Sequence, residues 1–218
     1  MRRAFLLRET VIPRLVPGTH VLSRFNDVDG RHKAGHDERR NDGVSKSWFK
    51  KHLLFRKIPM SSITLRTALP FDKDKVVELI HRLNVFEADL VGDRRRDYGA
   101  AAEYYDELMQ RLSRRNGRVV LAEAEGFVVG AMGFSLDQDA AYVSDGLRNH
   151  GTVTDLIVHD DWRGRGIGQM LLSEAERLTR EAGLKRLFIG VLVANERAER
   201  TYRAFGFEPY VSIMSKEL

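Results

Sequence analysis

The 218-residue chain contains no cysteine. That absence excludes a disulfide scaffold, a thiolate metal site and a cysteine nucleophile together. Long apolar runs are missing as well. The longest stretch without a charged residue, Gly126 to Leu136, has 11 residues and includes three glycines. A membrane-spanning helix needs about 20 predominantly apolar residues, so no span is expected. No internal repeat is visible. What is present is globular in composition, with 43% hydrophobic and 31% charged residues.

The net charge of +5 is unevenly placed. Residues 1–59 hold 14 Lys/Arg against 6 Asp/Glu, while residues 60–218 hold 22 against 25. The basic character therefore belongs to the first quarter of the chain, and the remainder is mildly acidic. Such asymmetry marks an appended segment. Asn26 to Gly43 has three glycines and hardly any large apolar side chain, so it cannot offset its ordering entropy. Residues 1–59 are thus expected to be a disordered basic extension, with only Trp48–Phe55 able to form a short helix. Three origins compete for it. One is an organelle transit peptide, from its Arg-rich start. A second is a nucleic-acid or membrane-surface arm. The third, favoured here, is an over-extended reading frame with the true start at Met60. Nucleic-acid binding is at most a side function of this segment. With no secretory pattern and no span, a cytoplasmic location is the default expectation.

Residues 60–218 alternate element types. Ile63–Thr67 is a strand. Asp72 can cap a helix whose apolar positions are Val76, Val77, Ile80 and Leu83. A second helix is expected from Tyr98 to Arg114. Arg118–Glu123 and Phe127–Ser135 form a hairpin across Glu125-Gly126. Asp137–Asn149 reads as a loop and Thr152–Val158 as a strand. A helix from Gly166 to Ala182 presents Ile167, Met170, Leu171, Ala175 and Leu178 inward. Arg186–Val193 is near-continuously apolar, as a buried central strand would be. A helix from Glu196 to Phe205 and a last strand, Phe207–Met214, complete a mixed α/β domain with one main sheet.

The informative stretch joins a strand to a helix: Val158-His159-Asp160-Asp161-Trp162-Arg163-Gly164-Arg165-Gly166-Ile167-Gly168-Gln169. Alternating glycines let the backbone approach a ligand and adopt unusual dihedrals. The first N–H groups of the helix, with its dipole, form an anion site, and two arginines add charge. A phosphate or pyrophosphate fits. A P-loop would need Lys-Ser/Thr after the last glycine, where Gln169 stands. The dinucleotide pattern G-x-G-x-x-G also fails, ending on Gln169 or Leu171.

This stretch resembles the GNAT superfamily of acyl-CoA-dependent N-acyltransferases, whose signature is Arg/Gln-x-x-Gly-x-Gly/Ala after a strand. It reads here Arg163-Gly164-Arg165-Gly166-Ile167-Gly168. A second signature of that family, Asn-x-x-Ala-x-x-x-Tyr-x-x-x-Gly-Phe, is matched by Asn195 to Phe207, with Ala198, Tyr202 and Gly206 in place. The resemblance covers about residues 62–218. It implies a GNAT-like sheet splayed into a V between its fourth and fifth strands, and acetyl-CoA as co-substrate with no metal. It places the pyrophosphate on Arg163, Gly164, Arg165, Gly166, Ile167 and Gly168, and the pantetheine arm along Leu156, Ile157 and Val158. It makes Tyr202 the acid for the departing thiolate and gives Asn195 either a cofactor contact or a helix-capping role.

The implied reaction is acetyl transfer to a primary amine by direct attack in a ternary complex. A non-catalytic acyl-CoA-binding or sensing module on the same fold is the alternative, and a homodimer stays open. A free alkylamine of pKa about 10.4 is largely protonated at pH 7, so some group must take its proton. Asp155, on the strand beside the expected thioester, is the leading base or amine anchor, ahead of Glu123. Thr154 stands where some polyamine-acetylating relatives have a glutamate. His150 and His159 read as loop residues. The acceptor region would lie among Glu87, Asp89, Asp93, Asp97, Glu103, Asp106 and Glu107, with Tyr98, Tyr104 and Tyr105. Arg94-Arg95-Arg96 interrupts that acidic set, which reads more simply as a solvated face.

Overall fold

A computed structural model of the chain describes residues 62–218. The expectations for residues 1–59, and for Met60 as the start, lie outside them. One sheet runs in the order β1 (Ile63–Thr67), β2 (Arg118–Ala124), β3 (Phe127–Gln138), β4 (Asn149–Val158) and β5 (Leu187–Ile189). The first four strands pair antiparallel, and β5 joins β4 in parallel. The helices are α1 (Lys73–Val91), α2 (Tyr98–Ser113), the one-turn α3 (Asp145–Arg148), α4 (Ile167–Glu181) and α5 (Glu196–Phe205).

Alternation along β2 sorts the core into two layers, because successive side chains point to opposite faces. Val119 and Leu121 pack with α1 and α2, on Val76, Val77, Ile80, Ala101, Leu108 and Leu112. Val120, Ala122 and Ala124 pack with α4, on Ile167, Leu171, Leu172 and Ala175. Tyr202, Phe205 and Phe207 bring α5 onto the same layer as α4. The β2–β3 hairpin closes through Glu125 and Gly126, both at positive φ, which suits the twist of the flanking strands.

Several expected elements differ. Asp72 precedes α1, but its carboxylate makes no cap bond to that helix. It turns back to accept from the Leu69 N–H (2.9 Å) and from Arg66 (2.6 and 2.9 Å). The expected loop 137–149 is shortened at both ends, since β3 reaches Gln138 and β4 begins at Asn149. The apolar run Arg186–Val193 is not a central strand. Only Leu187–Ile189 pairs, at the sheet edge and half-buried. Phe207–Met214 forms no strand: Pro209 lacks a ladder donor, and Tyr210 packs its ring at a tilt against Phe188 instead (5.0 Å between rings). Among the described residues, no helix is long and apolar enough to cross a membrane.

Candidate active site

β4 and β5 share only Gly151↔Leu187, Thr152↔Phe188 and Val153↔Ile189. Beyond Val153 the strands part. β4 stays paired with β3 through Val158, so its other edge, along Leu156 to Val158, is left open as one wall of a slot. Leu156 and Val158 are half-buried there and Ile157 is buried towards α1 and α2. This is the splay expected between the fourth and fifth strands.

At the end of β4 the chain passes through a 3-10 turn, Asp160–Trp162, into the glycine loop. Trp162 is buried in the α4 layer and pins the start of that loop. Gly164 and Gly166 take φ of +77° and +79°, which side chains rarely adopt. The first bond of α4 runs from the Met170 N–H to the Gly166 carbonyl (3.0 Å), and no side chain caps the helix. The N–H groups of Ile167, Gly168 and Gln169 therefore point outward unpaired. A Cβ at Gly168 would meet no atom within 4 Å. The protein's own packing does not require glycine there, whereas close approach of a ligand would. Open N–H groups, a bare Gly168 and an open strand edge fit a phosphate-bearing arm laid along β4.

The loop arginines are tied locally. Arg163 donates to the Val158 carbonyl (3.2 Å), pairs with Asp160 (2.7 Å) and lies over the Phe86 ring. Arg165 donates to the Asp161 carbonyl (3.1 Å) and covers the Trp162 ring. Both brace the turn, so the groups left open there are mainly backbone. Asn195 accepts from the Ala198 N–H (3.1 Å), the capping role.

Asp155 owes its position to a bulge. Phe134 faces Val153 and Gly133 faces Asp155, leaving Thr154 as the extra residue. In a regular strand, positions 153 and 155 would share a face. Here Val153 packs in the α4 layer, while Asp155 Oδ1 accepts from Tyr104 Oη of α2 at 2.9 Å. The bulge thus turns Asp155 towards α1 and α2. Arg111 Nη2 donates to the same Tyr104 oxygen (3.1 Å), with its guanidinium over the ring. Oδ2 of Asp155 is buried with no hydrogen-bond partner among the described residues. Burial pushes the Asp155 carboxyl above its ordinary value, and the Tyr104 hydrogen bond, the Thr154 side chain and the Arg111 charge act against that push.

Tyr202 projects from α5, its ring edge-on to Phe207. Burial is the main cause that raises its pKa, followed by the charges of Glu87 and Asp155. Glu87 sits on α1 with its Oε2 accepting from Arg94 Nε at 3.1 Å. Burial raises its pKa too, opposed by Arg94, and the Asp155 charge adds to the rise. Glu87, Asp155 and Tyr202 therefore sense one another electrostatically across the slot.

The remaining expectations separate from this group. Glu123 is held by Arg66 (2.6 Å) on β2. It lies two strands from β4 and well along from Val119, the residue level with Gly133 and Asp155. His150 is not a loop residue: it is buried in β4 against the Phe188 ring. His159 follows β4 and accepts from the Asp161 N–H. Most of the acidic set is the solvated face it resembled. Asp89 pairs with Arg96, Asp97 and Glu103 with Arg95, and Asp106 with Lys73. The pattern of residues carried no signal for the Thr154 bulge or the Arg111–Tyr104–Asp155 chain, since each needs tertiary contacts.

Residues 84–207 match the model of the acetyltransferase (GNAT) family. The chain is 30% identical over 148 residues to an IAA acetyltransferase of Azospirillum brasilense, covering 68% of this chain and 86% of that one. It is 34% identical over 105 residues to an aminoglycoside N(6')-acetyltransferase type 1 of Stenotrophomonas maltophilia, covering 47% and 67%. The solved structure of AAC(6')-Iy with the bisubstrate analogue CoA-S-monomethyl-acetylneamine superposes with a TM-score of 0.54 at 16% identity, covering 72% and 97%.

Proposed function

Because the chain belongs to the GNAT family of acetyltransferases, we propose that it moves the acetyl group of acetyl-CoA to a primary amine by direct attack, with Asp155 and Tyr202 handling the protons. The observation that carries this is the convergence of a backbone anion cradle, an open β4 edge and two protonatable groups on one slot. The co-substrate supplies an activated thioester. Its pyrophosphate would rest on the N–H groups of Gly164 to Gly168, with Arg163 and Arg165 holding the loop in shape. The arm would follow Leu156, Ile157 and Val158, where a strand N–H polarises the carbonyl. The amide nitrogen of Asn195 remains available to the arm while its oxygen caps α5.

Asp155 takes the proton from the acceptor's ammonium. Its raised pKa makes it a stronger base than a solvated aspartate, and its unpartnered Oδ2 is the atom that receives. Tyr202 stays protonated at neutral pH because burial holds its pKa up, so it has a proton to give the leaving sulfur. The test is Tyr202→Phe. Loss of one general acid should lower kcat by about 100-fold, with acetyl-CoA affinity within a factor of about two by calorimetry. An unchanged kcat would remove Tyr202 from the reaction.

A further inference from the structure

We propose that the acceptor side of the slot is charge-balanced and selects an amine carrying a single positive charge, with Arg94 as the residue that enforces the selection. This rests on the acyltransfer assignment above and names its substrate class. Two carboxylates face the slot from the α1/α2 side, Asp155 and Glu87, and each already has a cation. Asp155 is reached by Arg111 through the Tyr104 hydroxyl, in steps of 3.1 and 2.9 Å. Arg111 makes no ion pair among the described residues, so its charge is committed to this chain. Glu87 is held directly by Arg94 at 3.1 Å. Both side chains of that pair are largely withdrawn from water, at 11% exposure for Arg94 and 20% for Glu87.

The two pairs differ in one respect. Arg111 acts on Asp155 only through a neutral hydroxyl and leaves Oδ2 without a partner. One ammonium can be received there. Arg94 instead contacts a Glu87 oxygen directly and also pairs with Asp93. A second ammonium, a few carbons along the same acceptor, would have to share Glu87 with a guanidinium already on it. Like charges at that distance repel strongly in a site shielded from solvent. The other carboxylates of α1 and α2 lie on the exposed surface, and most are matched to neighbouring arginines or lysines. A monoamine adds one positive charge, received at Asp155, and the passage of its proton to Asp155 moves that charge without changing the total. A diamine or a sugar with several amines adds a second, which meets Arg94 at Glu87.

The test compares 1-butylamine with 1,4-diaminobutane in the full chain. Wild type should show kcat/KM at least about tenfold higher for the monoamine. Arg94→Gln should shift that ratio by about tenfold towards the diamine, Arg94→Lys should keep the wild-type ratio, and adding Glu87→Gln to Arg94→Gln should erase the shift. A wild type that acetylates the diamine as well as the monoamine overturns the proposal and leaves acyl transfer standing, as does an Arg94→Gln ratio that does not move. Where Arg94→Gln fails to fold, the wild-type and Arg94→Lys ratios decide. Chemical-shift titration of the same two amines reads selection without turnover. Monoamine binding at Tyr104 and Tyr202 with no acetylation would sink the acyltransfer assignment instead, while the charge selection stands.

Discussion

The two walls of the slot are made of different materials. On the α4 side the open groups are backbone N–H groups, released by glycines within one continuous stretch, Gly164 to Gly168. On the other side they are side chains, Glu87 of α1, Tyr104 of α2 and Asp155 of β4, with Tyr202 of α5 reaching towards them from the α4 layer. The first wall can be read in one line of sequence because its chemistry is local. The second is assembled from residues 115 positions apart at the extremes, 87 and 202, so no short pattern can contain it. On the proposed reading, the backbone cradle would take what is common to a family, the phosphates of one co-substrate, and the side-chain wall what varies, the acceptor.

The sharpest way to break this contrast is Gly166→Val. The φ of +79° forces a β-branched residue into a conformation it rarely adopts, so the cradle must reshape. Losing two hydrogen bonds to a charged group, at roughly 1.5–3 kcal/mol each, puts the loss of acetyl-CoA affinity at about 100-fold or more. Calorimetry checks this, and amine binding at the opposite wall should be untouched. Retained co-substrate affinity would mean that the cradle is not backbone-built.

Tyr104→Phe probes the other wall, with a smaller effect. It removes the largest of the contacts that favour the charged form of Asp155, leaving the Thr154 side chain and the Arg111 charge to oppose burial. The Asp155 pKa should then rise further, so the acidic limb of the kcat/KM profile moves to higher pH. At pH 8, above the shifted limb, the loss should be within about tenfold. A uniform loss at every pH, with no displacement of the limb, would reduce Tyr104 to packing.

Gly168→Ala gives the smallest and most discriminating result. The added methyl meets open space within the first turn of α4. Replacing a helical glycine by alanine gains about 0.5–1 kcal/mol, a few degrees in Tm. Acetyl-CoA affinity should fall even as the melting temperature rises. Both moving together would place Gly168 in the fold and not in the site.

Much of the architecture follows from local pattern. Period-two alternation in Arg118–Ala124 and the 3/4 spacing of Ile167, Leu171, Ala175 and Leu178 place their elements correctly and assign faces to the core. Local pattern misleads where a segment's partner decides its state. Arg186–Val193 is apolar enough for a central strand, yet only three residues pair, because β4 turns away from β5 to open the slot. Phe207–Met214 is strand-like in composition but carries Pro209 and finds no ladder. Asp72 carries the right residue for a helix cap, but Arg66 offers a stronger partner. Asp155 could be nominated from its strand, whereas the face it takes, opposite to that of Val153, reflects one unpaired residue between them.

That unpaired residue gives the strand an unusual kind of tolerance. Val153 opposite Phe134 and Asp155 opposite Gly133 are fixed by the ladder on either side of Thr154. Removing Thr154 would make these two neighbours, and neighbours in a strand point to opposite faces, so Val153 would keep the α4 layer and Asp155 the α1/α2 layer. What would go is the local bend that the bulge gives β4, and the help of the Thr154 side chain in keeping Asp155 charged. Loss of one residue, which elsewhere in a strand inverts every face beyond it, is absorbed here.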